Sequence, residues 1–158
     1  MSADRMENTK PRRKPSAVKA ANEDYRLEDQ VGFVIRKASQ RHTLIFSKHM
    51  IGELTSTQWA ALVKVAELGL VSQNQLGRET AMDVATIKGV VDRLVKRGLV
   101  ATADDPGDGR RNLITLTPGG TALVGRAKPI ATAITAETLN GLSITEQRTL
   151  IGLLRKIT

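Results

Sequence analysis

The sequence lacks cysteine altogether. Disulfides, thiolate metal sites and a thiol-based redox sensor are therefore excluded, and the reducing cytosol is the compartment that fits best. The chain also has no run of eighteen apolar residues, and its first residues lack the apolar stretch of an export signal. We therefore expect a cytoplasmic protein that neither crosses a membrane nor has one as a partner.

Aromatic residues are nearly as scarce, with one Trp, one Tyr and two Phe among 158 residues. Proteins that bind single-stranded nucleic acid stack its bases on aromatic side chains. That class is therefore disfavoured, whereas a protein that binds duplex DNA needs no such platform.

The features of an enzyme are missing as well. The only two histidines, His42 and His49, fall on one predicted helix, and the sequence contains neither a nucleophile elbow nor a phosphate-binding glycine loop. The acidic run that begins at Asp104 lacks the spacing and the closing glutamate of a calcium loop. We predict no catalytic residue, no metal site and no cofactor.

What the chain does have is an excess of positive charge, because 24 Lys and Arg residues outnumber 16 Asp and Glu residues and leave a formal net charge of +8. This balance alone fits either nucleic acid or an acidic membrane surface as a polyanionic partner, and of the two we predict nucleic acid. Residues 1–24 carry several of these charges among Pro, Ser and Asn with no apolar period, which predicts a disordered tail. Its basic core over 11–15 has two interpretations, a DNA-contacting arm or a solvated tail.

Apolar periodicity and capping signals predict six helices and one hairpin in the rest of the chain. The predicted helices are a long one from Leu27, one capped by Thr55 and ended by Gly69, a short one from Ser72, one from Asp83 to Lys96 closed by Gly98, one from Pro118 to about Leu139, and one capped by Ser143. Two short strands are predicted over 99–102 and 113–117, joined by a loop rich in Pro, Gly and Asp.

The apolar stripes indicate which helix faces are covered. The first helix carries Val31, Val34, Ile35, Ala38, Ile45 and Phe46, and its stripe extends to the two histidines, which are either satisfied core residues or part of a ligand pocket. The predicted inner faces are Trp59, Leu62, Val63 and Ala66 on the second helix and Ile87, Val90, Val91, Leu94 and Val95 on the fourth. The flanking helices hold more apolar residues than one small domain covers, which predicts a partner subunit.

Three short helices followed by a two-stranded hairpin is the order of a winged helix-turn-helix domain. In that domain the second helix of the turn enters the DNA major groove, and the hairpin reaches a neighbouring groove or the phosphates. The groove helix is predicted at 84–97, where small or polar leading residues leave room for base edges. The residues predicted to bind DNA are Asp83, Ala85, Thr86, Lys88, Gly89 and Arg93 at this helix and Asp108, Arg110 and Arg111 at the wing tip, where Asp108 can orient Arg110.

Three stretches of the sequence resemble the MarR family of winged helix-turn-helix transcription regulators. They are Leu54–Leu62, Asp83–Val100 and Asp105–Gly120, and the likeness in order and spacing extends over roughly residues 27 to 157. The fold class that it implies is mainly α with a small β wing, a winged helix-turn-helix with N- and C-terminal dimerisation helices. The implied organisation is a basic disordered tail over 1–24, a helical dimerisation region over 25–53 and 118–158, and a DNA-binding lobe over 54–117.

The same resemblance implies a homodimer that binds duplex DNA, usually as a repressor. It also implies a small-molecule effector, an aromatic carboxylate or its CoA thioester, that enters a crevice between the dimerisation helices and the DNA-binding lobe. The paired wing residues would be Asp108 and Arg110, and the effector residues would be Arg36, Arg41, His42, Phe46 and Trp59. Two alternatives stay open: an activator of the same family, and a winged module that contacts protein or RNA.

Overall fold

The computed structural model describes residues 25–105 and 107–158, apart from the side chains of 105 and 108–111. The predicted tail over 1–24 lies outside the described residues. The chain divides into two compact units, Met1–Lys37 and Ala38–Thr158.

The first unit contains a short 3-10 helix, Leu27–Asp29, and the beginning of helix α1, Val31–His49, which continues into the second unit. The sequence pattern predicts one helix from Leu27, and that start is wrong. Gln30 has an extended backbone with φ −83° and ψ 125°, which separates the 3-10 helix from α1.

The remaining helices and strands lie in the second unit. In chain order they are α2 (Ser56–Leu68), β1 (Val71–Ser72), α3 (Gln73–Glu79), α4 (Val84–Lys96), β2 (Val100–Asp105), β3 (Asp108–Leu116), α5 (Pro118–Thr138) and α6 (Ile144–Leu154).

Side-chain caps explain where these helices begin. The cap side chain accepts a hydrogen bond from the amide three residues further on at Thr55, Ser72, Asp83, Thr117 and Ser143. The side-chain oxygens of Gln58 and Glu146 accept a hydrogen bond from the cap residue's amide, so both predicted capping boxes are present. The caps satisfy amides that a helix leaves unpaired, and the predicted starts of these five helices are confirmed.

The three strands form an antiparallel sheet in the order β1-β3-β2. Val71 of β1 pairs with Ile114, while β2 and β3 pair from Val100 and Leu116 out to Asp105 and Asp108, with a shift of register at Asp104 and Asp105. The predicted loop over 104–112 is therefore wrong, because main-chain pairing extends through a polar segment that shows no apolar alternation. The two-residue strand β1 has no sequence signal of its own, and the apolar pattern does not predict it.

The core of the second unit is made by α2, α3, α4, α5 and the sheet. On α4 the predicted inner face is confirmed except at Val95, which is 39% exposed. On α2 the prediction is partly wrong: Trp59 and Val63 are half-buried and Ala66 is exposed. The packed face of α2 centres on the small, fully buried Ala61, and the residues buried on it are Gln58, Ala61, Leu62 and Val65.

Two glycines fix the junction between α4, β2 and α5. Gly98 follows the C-cap of α4 with φ +65°, the left-handed conformation that glycine adopts at low cost. Gly120, in the first turn of α5, packs so closely that a Cβ atom there would lie 2.0 Å from the carbonyl oxygen of Leu99. A side chain at Gly120 is therefore incompatible with this packing.

Candidate nucleic-acid interface and effector site

The start of α4 is held by its cap residue. The Oδ1 atom of Asp83 accepts a hydrogen bond from the Thr86 amide at 2.7 Å, and its Oδ2 atom accepts one from the Thr86 hydroxyl at 2.9 Å. These two bonds, the amide bond first, hold the pKa of Asp83 below its usual range. Asp83 therefore stays ionised and keeps the first turn of α4 closed.

The first turns of α4 present small and polar groups to solvent. Val84, Ala85, Thr86 and Lys88 are all exposed. The Thr86 hydroxyl donates a hydrogen bond to Asp83. The lone pairs of the hydroxyl oxygen and the Thr86 methyl group therefore remain for other contacts. That this end of the helix leaves room for base edges stays a prediction.

The basic residues of α4 are arranged along its exposed side. Lys88 Nζ lies 3.0 Å from Asp92 Oδ2 in an exposed ion pair. The guanidinium group of Arg93 lies over Gly89, where a Cβ atom would be 3.5 Å from Nη1 of Arg93. A Cβ atom at Gly89 would therefore make only ordinary van der Waals contact with the Arg93 head group. Exposed ion pairs of the Lys88 type are weak enough to open when another anion competes.

Next to α4 the hairpin of β2 and β3 forms the wing. Its backbone pairs as far as Asp105 and Asp108, with a shift of register between Asp104 and Asp105. Arg110 and Arg111 lie on β3 near the tip, between Asp108 and Asn112, which pair with Asp105 and Asp104. The side chains of Asp108, Arg110 and Arg111 lie outside the described part of the structure, and their contacts with DNA and with each other stay predictions.

Arg97, at the C-terminal end of α4, makes contacts that its sequence position does not reveal. Its guanidinium Nη1 donates to the Glu53 carbonyl and to Gln58 Oε1, both at 3.3 Å, and Nη2 donates to the Gly52 carbonyl. The apolar pattern places Arg97 on the outer face of the helix. Its acceptors lie about forty residues earlier in the chain, so no local signal indicates them.

Two of the predicted effector residues contact the C-terminal end of α5. Arg41 donates through Nε to the Thr138 carbonyl and through Nη2 to the Glu137 carbonyl, both at 3.3 Å. His42 Nδ1 lies 3.0 Å from the Thr138 hydroxyl oxygen. The last carbonyls of a helix have no partner within the helix, and Arg41 supplies one here.

The other predicted effector residues are placed differently. Phe46 is buried, and its ring centroid lies 6.0 Å from that of the half-buried His42. Trp59 is half-buried against the core of the second unit. Arg36 belongs to the first unit, where its guanidinium carbon lies 5.2 Å from the ring centroid of Phe33. The structure therefore brings Arg41, His42 and Phe46 into one neighbourhood, and the roles of all five stay predictions.

His49, the second histidine of the predicted stripe, faces α5 as well. Its Nε2 atom lies 2.9 Å from Glu137 Oε2, with more than a third of each side chain exposed. His49 therefore joins α1 to α5 at the surface and is not a core residue.

Two grooves lie on the second unit near α4. One, of about 360 Å³, is formed where α3 turns into α4 and is lined by Arg78, Met82 and Asp83 among others. The other, of about 280 Å³, lies between α4 and the sheet and includes Val95 and Lys96. Neither groove is lined by the predicted effector residues.

In the described ranges no helix is long and apolar enough to cross a bilayer, and no group of three potential metal ligands occurs.

Comparison with known proteins decides the family. A model of the MarR family matches residues 53–111. The HTH-type transcriptional repressor NicR of Pseudomonas putida is 40% identical over 144 residues, which cover 90% of this chain and 91% of NicR. This chain belongs to the MarR family.

Solved structures agree with that membership. A probable transcriptional regulator from Pseudomonas aeruginosa is 51% identical with a TM-score of 0.82, covering 84% of this chain and all of that one. Bordetella bronchiseptica BpsR, whose DNA binding is regulated by 6-hydroxynicotinic acid, is 40% identical with a TM-score of 0.81 and 84% and 96% coverage. The resemblance to the MarR family and the fold class, mainly α with a β wing, are therefore confirmed.

Proposed function

We propose that this MarR-family chain is a repressor that binds a pseudo-palindromic duplex operator as a homodimer and releases it when a small aromatic carboxylate binds. The carrying observation is the start of α4, an exposed, Asp83-capped helix end beside a two-stranded wing. A recognition helix followed by a two-stranded wing is the part of a winged helix domain that contacts DNA.

The DNA contacts proposed follow from the exposed groups of α4 and the wing. Ala85, Thr86 and Lys88 occupy the turns that enter a major groove, where threonine can meet a base or a thymine methyl and lysine can reach guanine or phosphate. Arg93, one turn further on, is assigned to a phosphate. Arg110 of the wing is assigned to a minor groove or to the phosphates beside it.

The dimer proposed uses the regions 25–53 and 118–158. In the second unit α6 buries none of its residues, and its apolar side chains are 36% to 64% exposed. In the first unit Val31, Val34 and Ile35 are 68%, 51% and 44% exposed. Exposed apolar faces of this extent mark a surface that another protein covers. A second copy of the chain would also place two α4 helices about 34 Å apart, on successive major grooves.

The effector proposed is a hydroxylated aromatic carboxylate, the chemical class of the 6-hydroxynicotinic acid that regulates BpsR. Arg41 offers a guanidinium group that now bonds the neutral carbonyls at the end of α5. A carboxylate forms shorter and stronger bonds to arginine than a carbonyl does, so it would draw Arg41 away from α5. His42 would bond the ring hydroxyl, with Phe46 and Trp59 as apolar walls.

Such an effector must bind the released state more tightly than the DNA-bound state, since equal affinity shifts nothing. The CoA thioester of the same acid is the second form to test. Repression, rather than activation, is proposed because NicR is a repressor.

The test is a fluorescence-anisotropy titration of the protein with duplex DNA from the region upstream of its own coding sequence. We expect tight binding that weakens steeply with salt and that 6-hydroxynicotinic acid reverses, whereas nicotinic acid, which lacks the hydroxyl group, reverses it less. A duplex RNA of the same sequence is the control for the winged RNA-binding alternative. Equal binding to RNA, or binding that does not change with salt, would contradict the proposal.

A further inference from the structure

The guanidinium group of Arg97 joins three parts of the second unit. Arg97 is the C-cap residue of α4, and its donors reach the carbonyls of Gly52 and Glu53 and the side-chain oxygen of Gln58. Gly52 and Glu53 belong to the turn between α1 and α2, and Gln58 lies in the first turn of α2. One side chain therefore connects the end of α4 with the end of α1 and the start of α2.

The acceptors of Arg97 are themselves held in place. Gln58 is 5% exposed, and its Oε1 atom also accepts the amide of Thr55 at 3.1 Å. Gly52 and Glu53 have φ values of +68° and +48°, in the left-handed region that glutamate rarely adopts. Both of their carbonyl groups point to Arg97, so the arginine is bonded to the turn at the place where its backbone is unusual.

Arginine suits this position better than lysine does. A planar guanidinium group presents several donors in a fixed fork and can serve three acceptors at once. An ammonium group carries the same charge but does not have that geometry. The cation also lies at the C-terminal end of α4, where the helix dipole favours positive charge.

We propose that Arg97 is a positioning residue for operator binding: it fixes the C-terminal end of α4 against the turn at 52–53 and so sets the angle at which α4 meets DNA, without itself contacting a phosphate. The inference rests on the proposed function, because α4 must be the helix that reads the operator. Arg93, on the same helix, is the matched comparison, since it is assigned to a phosphate.

The salt dependence of operator affinity separates the two roles. Removing one phosphate contact reduces the slope of log affinity against log salt by about 0.9. Arg93→Ala removes one such contact from each subunit of the proposed dimer, so we expect it to weaken binding and to reduce the slope by about 1.8. We expect Arg97→Ala to weaken binding about tenfold, the effect of removing a hydrogen bond to a charged group, with the slope unchanged.

Arg97→Lys is the control that distinguishes an effect on operator binding from a failure of the variant to fold. It keeps the charge, so we expect a cooperative melt close to that of the unaltered protein and an operator affinity that is still several-fold lower. Hydrogen exchange in the absence of DNA gives a second reading: amides of residues 52–58 and of the last turn of α4 are expected to exchange faster in both Arg97 variants.

Several results would overturn the inference. They are an unchanged affinity in Arg97→Ala, a slope reduced as in Arg93→Ala, full recovery of affinity in Arg97→Lys, and unchanged exchange at 52–58. If the unaltered protein binds no duplex DNA, the proposed function fails and this inference fails with it. Binding by the unaltered protein together with any of the results above would refute the role of Arg97 alone.

Discussion

Helices α4 and α6 begin alike but differ in how much of each helix is buried. Each has a side-chain cap, Asp83 for α4 and Ser143 for α6, and each carries an apolar stripe. Four residues of α4 are buried by the rest of its own chain, whereas α6 buries none. The comparison teaches that a stripe predicts a face that needs covering, but it does not say which molecule covers it.

The largest effect is expected from placing a charged side chain on the exposed apolar face of α6. Leu154 of α6 is 39% exposed, and we expect Leu154→Glu to weaken the dimer thirtyfold or more, about the effect of truncating one central interface residue. Operator binding should weaken with it. Sedimentation velocity over a range of protein concentrations measures the change.

A matched control lies on α2, where Leu68 is 40% exposed. We expect Leu68→Glu to leave the dimer unchanged, because α2 is outside the proposed dimerisation region. Equal dissociation in the two variants, or none in Leu154→Glu, would contradict the assignment of α6 to the interface.

At the wing we expect the opposite result, in which operator binding weakens while the dimer stays intact. Arg110→Ala removes a proposed groove contact and should lower operator affinity roughly ten- to hundredfold, the range for one good arginine contact. The dimer should stay intact, because Arg110 lies in the proposed DNA-binding lobe. Anisotropy and sedimentation on the same sample check both statements, and an unchanged operator affinity would remove the wing from the interface.

A smaller effect, on stability, tests the internal packing of the second unit. Gly120→Ala places a Cβ atom against the Leu99 carbonyl, and overpacking of this kind costs about 1–3 kcal/mol of unfolding free energy. Gly125, on the same helix, has open space around its Cβ position, so Gly125→Ala should gain up to about 1 kcal/mol of helix propensity. Urea unfolding compares them, and equal effects in the two variants would contradict the close contact at Gly120.

The smallest effect is expected at the cap of α4. The pKa of Asp83 is lowered in the folded protein by its bonds to Thr86, so its stabilising effect is present above the ordinary carboxyl pKa and is lost as the pH falls through the lowered value. Asp83→Asn keeps a capping oxygen but does not titrate. We expect the loss of stability on acidification to be slightly smaller in Asp83→Asn, as measured by thermal melts from pH 7 to pH 3; an identical pH profile would contradict the role of the charge.

Much of the lobe can be predicted because its signals are local. A cap side chain and its amide are three residues apart, and so Thr55, Ser72 and Asp83 are found from the sequence alone. The glycine that closes α4, Gly98, is found in the same way. These features depend on neighbours along the chain and not on the rest of the fold.

The features that the sequence does not predict depend on distant residues. Strand β1 exists because Val71 meets Ile114, and Arg97 finds its acceptors at 52, 53 and 58. Arg41 and His42 are predicted to face an effector, but the sequence does not show that both meet the end of α5, nearly one hundred residues away. The predicted inner faces of α2 and α4 are partly wrong for the same reason, since neighbouring elements decide whether Ala66 or Val95 is covered.

The most direct test of a dimeric repressor released by an aromatic acid is sedimentation of a labelled operator duplex with the protein, with and without 6-hydroxynicotinic acid. We predict a complex of two chains on one duplex that the acid dissociates into free DNA and an intact dimer. One chain per duplex, or a complex that stays assembled at saturating acid while nicotinic acid also has no effect, would contradict a dimeric repressor released by a hydroxylated aromatic carboxylate.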